Sequence, residues 1–289
     1  MDRETSKNKE IGVLSDTSGV ALFQFYYSKF LDDDIHADKG IETITKMVEY
    51  INSGFNYPTF CKGIAGAYWV LEILREEDFV ELDEDFLSHS VDGHLLEAIR
   101  ADIQEDNFDF LHGAMGYGFY KDTSLTSTFP NWIVSEAVDD FNSRLAWCYG
   151  DLGIGIFLLR VAETLKDEQL YKESLAILKK TTKRRDKEEA SVVDAGLCHG
   201  ACGILNIYNY LYKKTGDSLF KSAADFWAQE TLQMATVKDG FAGYAAWHGS
   251  KEKWIPEVSL LEGVAGIGLT IISYLTSAEM KWDECLLIS

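Results

Sequence analysis

The chain has 289 residues, of which 46% are hydrophobic and 13% aromatic, so it is long enough to bury a sizeable core. Its formal net charge of −20 argues against a nucleic-acid partner, because phosphate binding needs a basic surface. The five cysteines lack a disulfide-scaffold spacing, and residues 1–10 lack the apolar core of a signal peptide. These features predict a cytoplasmic protein whose thiols are reduced or bind a metal.

A short pattern begins near the N-terminus and returns along the chain: two small residues three positions apart, followed by an apolar run. Its six copies are LSDTSGVALFQFYY (14–27), CKGIAGAYWVLEIL (61–74), LHGAMGYGFY (111–120), CYGDLGIGIFLL (148–159), CHGACGILNIYNYL (198–211) and LEGVAGIGLTIISYL (261–275). Their second glycines, Gly19, Gly66, Gly116, Gly153, Gly203 and Gly266, are separated by steps of 47, 50, 37, 50 and 63 residues. Steps near 50 residues indicate one helical hairpin per repeat.

The segments between the copies fit such hairpins. Residues 34–54 and 167–185 have spaced apolar positions with charges between them, as amphipathic helices do. Residues 258–278 are apolar enough to suggest a membrane span, but Glu262 interrupts them and a buried helix is the better interpretation. The sequence therefore predicts an all-α protein with glycine-led apolar helices inside and amphipathic helices outside, and no membrane span.

Two cysteines occupy the same position in neighbouring copies. Cys148 lies two residues before Gly150 and Cys198 two residues before Gly200, one repeat later, and His199 follows Cys198 directly. Equivalent positions on neighbouring hairpins lie near one another, so we expect the two thiols and the imidazole to converge. Two thiolates and an imidazole suit Zn²⁺ and leave a fourth coordination position for water or substrate.

Two further residues of this region have weaker assignments. Cys61 holds the register of Cys148 and Cys198 but belongs to a more distant copy, so we interpret it as a packed thiol. Asp194, which is not one of the predicted metal ligands, could orient the ring of His199.

His112 precedes Gly113 as His199 precedes Gly200, and Asp109 lies one turn earlier. Glu262 and Lys62 occupy the position of His112 in their own copies. A carboxylate and an imidazole beside an open zinc position could act as acid and base. Polar groups that only cap helix starts are an equally good interpretation of the pattern alone.

Three segments resemble the lanthionine synthetase C-like cyclases, namely SRLAWCYGDLGIGIFLL (143–159), DAGLCHGACGILNIYNYL (194–211) and LLEGVAGIGLTIISYL (260–275). The resemblance runs from about Gly12 to the C-terminus. It implies an α/α toroid, a double ring of helical hairpins, as a single domain over residues 1–289. It also implies a catalytic zinc at one end, held by Cys148, Cys198 and His199.

In this family, zinc lowers the pKa of a peptide cysteine, and the thiolate adds to a dehydroalanine or dehydrobutyrine to form a thioether ring. The resemblance thus implies a lanthionine cyclase acting on a dehydrated, cysteine-containing precursor peptide, with a dehydratase and a transporter as further partners. FDFLHG (108–113) resembles the segment that carries an acidic catalytic residue, which corresponds to Asp109. Asp109 and His112 are therefore the candidate catalytic residues.

The chain departs from the family pattern in one respect. The family normally has seven glycine-led repeats, one of which carries a catalytic His-Gly before the WCYG copy, whereas this chain has six. Residues 120–147 contain no glycine-led helix. Either His112 takes over protonation, or the chain is a weakened cyclase, or the sequence is shortened.

Three alternatives to the cyclase remain. One is a transferase that adds a small thiol such as glutathione to a dehydrated residue at the same zinc. Another is a non-catalytic scaffold that binds zinc and peptide. An α/α toroid acting on carbohydrate would need paired carboxylates, for which Asp109 and Glu262 could be offered, but the zinc spacing disfavours it.

Overall fold

The computed structural model describes residues 11–14, 17–81, 127 and 143–289. The α-helices of these residues are α1 (Thr17–Leu31), α2 (Ile35–Asn52), α3 (Ile64–Glu76), α4 (Gly150–Leu165), α5 (Glu168–Thr181), α6 (Ala201–Thr215), α7 (Ser218–Gln233) and α8 (Val264–Leu275). Two three-residue strands, β1 (Ala246–His248) and β2 (Lys253–Ile255), form an antiparallel hairpin. Single 3₁₀ turns lie at Gly249–Lys251 and Glu284–Leu286.

Two compact units divide the chain: residues 1–109 with 257–272, and residues 110–256 with 273–289. This division does not test the predicted single domain over residues 1–289, which stays a prediction. In the first unit, α1 packs against both α2 and α3. The amphipathic helix α2 buries Gly40, Ile44 and Met47, whereas α1 is buried along most of its length. The apolar glycine-led helix therefore forms the core of this unit, and the amphipathic helix covers it.

The second unit repeats this arrangement twice, with α4 against α5 and α6 against α7. The side chains of Tyr208 on α6 and Trp227 on α7 are fully buried. The Tyr208 hydroxyl donates to Oγ1 of Thr181 on α5 at 2.9 Å, which satisfies a polar group inside the core. Each hairpin thus contributes one buried helix and one covering helix.

Three of the glycine-led helices, α3, α6 and α8, satisfy the backbone N–H of their first residue in the same way. Ile64, Ala201 and Val264 each begin a helix and donate to the carbonyl seven positions earlier, on Tyr57, Asp194 and Glu257, at 2.9, 3.0 and 3.0 Å. These bonds replace a side-chain cap, which is absent at Gly63 and Gly200. The loop before each helix therefore folds back over the helix end and holds the residues between in a fixed position.

This fold-back explains the second glycine of the repeat. A Cβ atom added at Gly66, Gly153 or Gly203 would overlap the carbonyl oxygen six positions earlier in its own loop. Only glycine lets the loop and the helix approach so closely. The repeat in the sequence is therefore the signature of a loop that returns over a helix N-terminus.

The predicted helices at residues 34–54 and 167–185 are confirmed as α2 and α5. The apolar segment 258–278 contains the 12-residue helix α8, and no helix among the described residues is long and apolar enough to cross a membrane. The hairpin β1–β2 was not predicted, since its strands are too short to show an alternating pattern. The interval that suggested a missing hairpin, residues 120–147, lies mostly outside the described residues, which include only 127 and 143–147 of it.

Candidate metal centre

The loops before α4 and α6 carry the predicted metal ligands. Cys148 lies two residues before α4, and Cys198 and His199 lie shortly before α6. The backbone N–H of Cys148 donates to the carbonyl of Cys198 at 3.4 Å, and the Cys148 thiol donates to the same oxygen at 3.1 Å. The two fold-back loops are thus joined to each other at the ligand positions.

This junction brings three ligand atoms together. The Sγ atoms of Cys198 and Cys148 are 3.2 Å apart, and a ligand atom of His199 joins them so that all lie within 4.8 Å of one another. All three residues are half-buried, and both thiols are free of disulfides. The structure therefore places Cys148, Cys198 and His199 in one cluster that could hold a metal ion.

Cys198 and His199 both have raised pKa values. The hydrogen bond with Cys148, followed by burial, raises the pKa of the Cys198 thiol well above its ordinary value. The hydrogen bond with Cys198 raises the pKa of His199 despite the burial of the ring. A cation bound here would replace these protons, as metal ligands must be deprotonated.

Tyr149 lies between Cys148 and the first residue of α4. Burial raises the pKa of its hydroxyl, and the neighbouring thiols Cys148 and Cys198 add to the increase. The Tyr149 hydroxyl therefore stays protonated at neutral pH and remains a hydrogen-bond donor beside the cluster.

Asp194 links the ligand loop to the hairpin. Its Oδ1 accepts from the N–H of Gly196 at 3.0 Å, and its Oδ2 accepts from the N–H of Trp247 on β1 at 2.9 Å. Both oxygens are engaged by backbone donors, whereas we predicted that Asp194 orients the His199 ring. Its charge contributes to the raised pKa of His199, and a Cβ atom at Gly200 would lie only 2.6 Å from its Oδ1. Asp194 thus fixes the backbone beside His199.

Gly150 ends the loop that carries Cys148 and is the first residue of α4. Its φ is +60°, a conformation that residues with a Cβ rarely adopt, and an added Cβ would overlap the hydroxyl of Ser143. That hydroxyl in turn donates to Oγ of Ser127 at 2.7 Å in a buried position. Glycine at this position lets the chain turn sharply from Cys148 into α4.

The C-terminal segment contacts the loop that carries Cys148 and the helix α6 that follows His199, which the sequence did not predict. The indole N–H of Trp147, next to Cys148, donates to the carbonyl of Leu286 at 2.9 Å. Asn206 on α6 donates to Oδ2 of Asp283 at 2.8 Å, and Ser289 donates to Oδ1 at 2.5 Å. All three contacts are largely buried. The repeat does not predict these contacts, because Asp283, Leu286 and Ser289 lie outside its copies, and the bonds from Trp147 and Asn206 join residues 139 and 77 positions apart.

The other predicted site residues are distributed as follows. Asp109 and His112 lie outside the described residues, so their roles stay predictions. Cys61 and Lys62 precede α3, and Glu262 precedes α8, all in the first unit.

In the first unit, the residues at the same repeat position as Cys148 and Cys198 also join neighbouring loops. The N–H of Leu14 donates to the carbonyl of Cys61 at 3.2 Å, and the N–H of Leu261 donates to the carbonyl of Leu14 at 2.7 Å. The same main-chain bond as that from Cys148 to Cys198 therefore occurs where no pair of cysteines is present. The main-chain contact between loops therefore forms whether or not both positions are cysteines.

Comparison with known proteins matches this architecture. The family model for lanthionine synthetase C-like proteins matches residues 13–121 and 121–287. A solved structure titled "Nisin cyclase" is similar over 99% of this chain and 94% of its own, with 15% sequence identity and a TM-score of 0.68. This similarity confirms the predicted fold class, the all-α α/α toroid.

Proposed function

The chain belongs to the lanthionine synthetase C-like family, and on that premise we propose that it is a zinc-dependent lanthionine cyclase. Its substrate would be a precursor peptide with cysteine and dehydroalanine or dehydrobutyrine residues. The observation that carries this proposal is the cluster of Cys148, Cys198 and His199, whose ligand atoms lie within 4.8 Å of one another.

The donor set fits zinc. Two thiolates and one imidazole are preferred by Zn²⁺, and three protein ligands leave the fourth position that distinguishes catalytic from structural zinc sites. Cys148, Cys198 and His199 would hold the ion. When bound, Zn²⁺ supplies Lewis acidity that lowers the pKa of a substrate thiol.

The remaining chemistry requires proton transfer by the protein. The cysteine sulfur bonds to the β-carbon of the dehydrated residue, the π bond between the α- and β-carbons breaks so that a single bond remains, and the α-carbon takes up one proton. The thiol loses one proton, so atoms and charge balance without an oxidant or reductant. We propose Asp109 and His112 as the residues that move these protons. We propose a separate dehydratase as the source of the substrate, because the addition starts from Ser or Thr residues that have already lost water.

The experiment uses a peptide with one cysteine and one dehydroalanine. Cyclisation leaves the peptide mass unchanged, so product is measured as thiol that N-ethylmaleimide can no longer alkylate. We expect zinc-loaded protein to remove the alkylatable thiol and Cys198→Ala to leave it intact. Cys202→Ala is the matched control, because Cys202 lies four residues later, is fully buried, and has its sulfur 3.8 Å from Oγ1 of Thr231.

Other outcomes would replace the cyclase with one of the alternatives. A peptide whose mass increases by one glutathione, when glutathione is supplied, would identify a thiol transferase. A peptide that binds the zinc-loaded protein but keeps its thiol reactive would identify a scaffold. His112→Ala separates these cases further, since it lowers turnover in a cyclase and changes nothing in a scaffold.

A further inference from the structure

The hairpin β1–β2 is anchored directly beside the candidate metal centre. The carboxylate of Asp194 lies between the two: Oδ1 is 2.6 Å from the position of a Cβ at Gly200, next to His199, and Oδ2 accepts from the N–H of Trp247 at 2.9 Å. A peptide whose thiol reaches the cluster must continue past the surface around it. The hairpin is joined through Asp194 to the loop that carries Cys198 and His199, and so is a candidate for that surface.

Among the residues that the structure describes, the outer edge of β2 has no partner strand. Trp247 faces Trp254, and facing residues in an antiparallel pair direct their N–H and C=O groups either toward each other or both away. Because the N–H of Trp247 points to Asp194, the backbone groups of Trp254 point away from β1, along the outer edge of β2. Within the described part of the chain, the N–H of Trp254 donates to no backbone carbonyl outside the hairpin. An open edge of this kind is where an extended peptide can add as a further strand.

The side chains of this pair supply an apolar surface. The two indole rings lie on the same face with centroids 5.4 Å apart, and Trp254 is 44% exposed. Exposed lysines, Lys251 and Lys253, lie on either side of Glu252 in a chain whose net charge is −20. Exposed tryptophans dominate binding energies at peptide interfaces, and the lysines favour an acidic residue in the peptide.

We propose that the hairpin Ala246–Ile255 is a docking site for the extended segment of the substrate peptide that flanks the reacting cysteine. The peptide adds along the outer edge of β2 and packs against the ring of Trp254. The inference rests on the proposed function for the identity of the occupant, but binding at the hairpin is measurable without turnover.

Two probes separate docking from chemistry. The first is a fluorescein-labelled peptide with one cysteine and one dehydroalanine, whose Kd is measured by anisotropy with zinc-loaded protein. The second is the pair N-acetylcysteine amide and methyl 2-acetamidoacrylate, which carries the reacting groups without flanking residues. The variants are Trp254→Ala, Trp254→Phe and the control Phe30→Ala, because Phe30 is also 44% exposed and lies near the C-terminal end of α1.

We expect Trp254→Ala to raise the Kd of the peptide about tenfold, Trp254→Phe to restore part of the affinity, and Phe30→Ala to match the wild type. The rate of addition between the two small compounds should be the same in all variants. Equal peptide affinity of Trp254→Ala and Phe30→Ala, or no peptide binding by the wild type, would overturn the docking site. If Trp254→Ala weakens binding while the wild type forms no thioether from either probe, the docking site stands and the cyclase proposal fails.

Discussion

The sulfur atoms of Cys148 and Cys198 lie 3.2 Å apart although the residues are 50 positions apart in the chain. Main-chain contact brings them together, because the N–H of Cys148 donates to the carbonyl of Cys198 at 3.4 Å. The same contact joins Leu14 to Cys61 in the first unit, where the pair of thiols is missing. The fold therefore presents the two thiols to a metal before any ligand binds, which lowers the entropic cost of assembling the site.

The first prediction concerns metal content. We expect freshly purified protein to contain about one zinc per chain by elemental analysis, because the cluster offers one set of three ligands. Cys198→Ala and Cys148→Ala should lose the metal, since two remaining ligands hold zinc poorly. Cys61→Ala should retain it, in agreement with the interpretation of Cys61 as a packed thiol. Zinc that persists in Cys198→Ala, or wild-type protein that contains none, would exclude this site.

The second prediction concerns oxidation of the metal-free protein. Thiols held 3.2 Å apart should form a disulfide on treatment with oxidised glutathione, which takes up the two electrons and two protons released. Of the five cysteines, three should then remain titratable after denaturation in acid, whereas zinc-loaded protein should keep all five. The variant Cys148→Ala is the control, because it retains Cys198 but has no partner for it. Equal loss of thiols with and without zinc would mean that zinc does not occupy this pair.

Much of this arrangement could be predicted from the sequence because it repeats. The register of Gly153 and Gly203 placed Cys148 and Cys198 at equivalent positions, and equivalent positions of neighbouring hairpins meet in the fold. The amphipathic helices α2 and α5 were predicted from the same periodicity that buries one face of each. The features that were predicted correctly are therefore the ones that recur in the sequence.

The contacts that occur only once could not be predicted. Asp194 binds the N–H of Trp247, and Trp147 binds the carbonyl of Leu286, through pairings that depend on tertiary structure alone. The three-residue strands of the hairpin are too short for an alternating pattern to emerge. The role of Asp109 was inferred from family resemblance and that of His112 from its position in the repeat, and both stay predictions.

The third prediction tests the second glycine of the repeat. Gly203→Ala should reduce the free energy of unfolding by about 3 kcal/mol, because the added methyl group overlaps the carbonyl oxygen of Leu197. Leu197 precedes Cys198 directly, so zinc affinity should fall as well. Gly216→Ala is the matched control: Gly216 has a φ of +70° and no neighbour near an added Cβ, so only the backbone cost of about 1 kcal/mol applies. Urea unfolding measures both, and equal losses in the two variants would contradict the close approach of loop and helix.

The last prediction concerns pH. Asp283 is buried in the C-terminal segment, where it accepts from Asn206 of α6, and this burial raises the pKa of its carboxyl above the ordinary value of 3.8. The folded protein therefore binds a proton that the unfolded chain has lost. Its stabilising contribution is complete below pH 3.8 and is lost as the pH rises through the raised pKa. Asp283→Asn cannot ionise and keeps an acceptor for Asn206, so its stability relative to wild type should increase from pH 3 to pH 7.

Asp217 provides a control of opposite sign for this pH dependence. The ion pair with Lys179 at 2.8 Å, followed by the hydrogen bond from the N–H of Leu219, lowers the pKa of its carboxyl. Its contribution is therefore present above pH 3.8 and is lost as the pH falls through the lowered pKa, so Asp217→Asn should lose relative stability as the pH rises from 2 to 5. Urea unfolding at a series of pH values measures the free energy of unfolding of each variant relative to wild type. The contributions of the other carboxylates are the same in variant and wild type, so they cancel in this difference. A difference for Asp283→Asn that does not change with pH would mean that Asp283 is charged in the folded protein as readily as in the unfolded chain, so that its burial beside Asn206 carries no electrostatic cost.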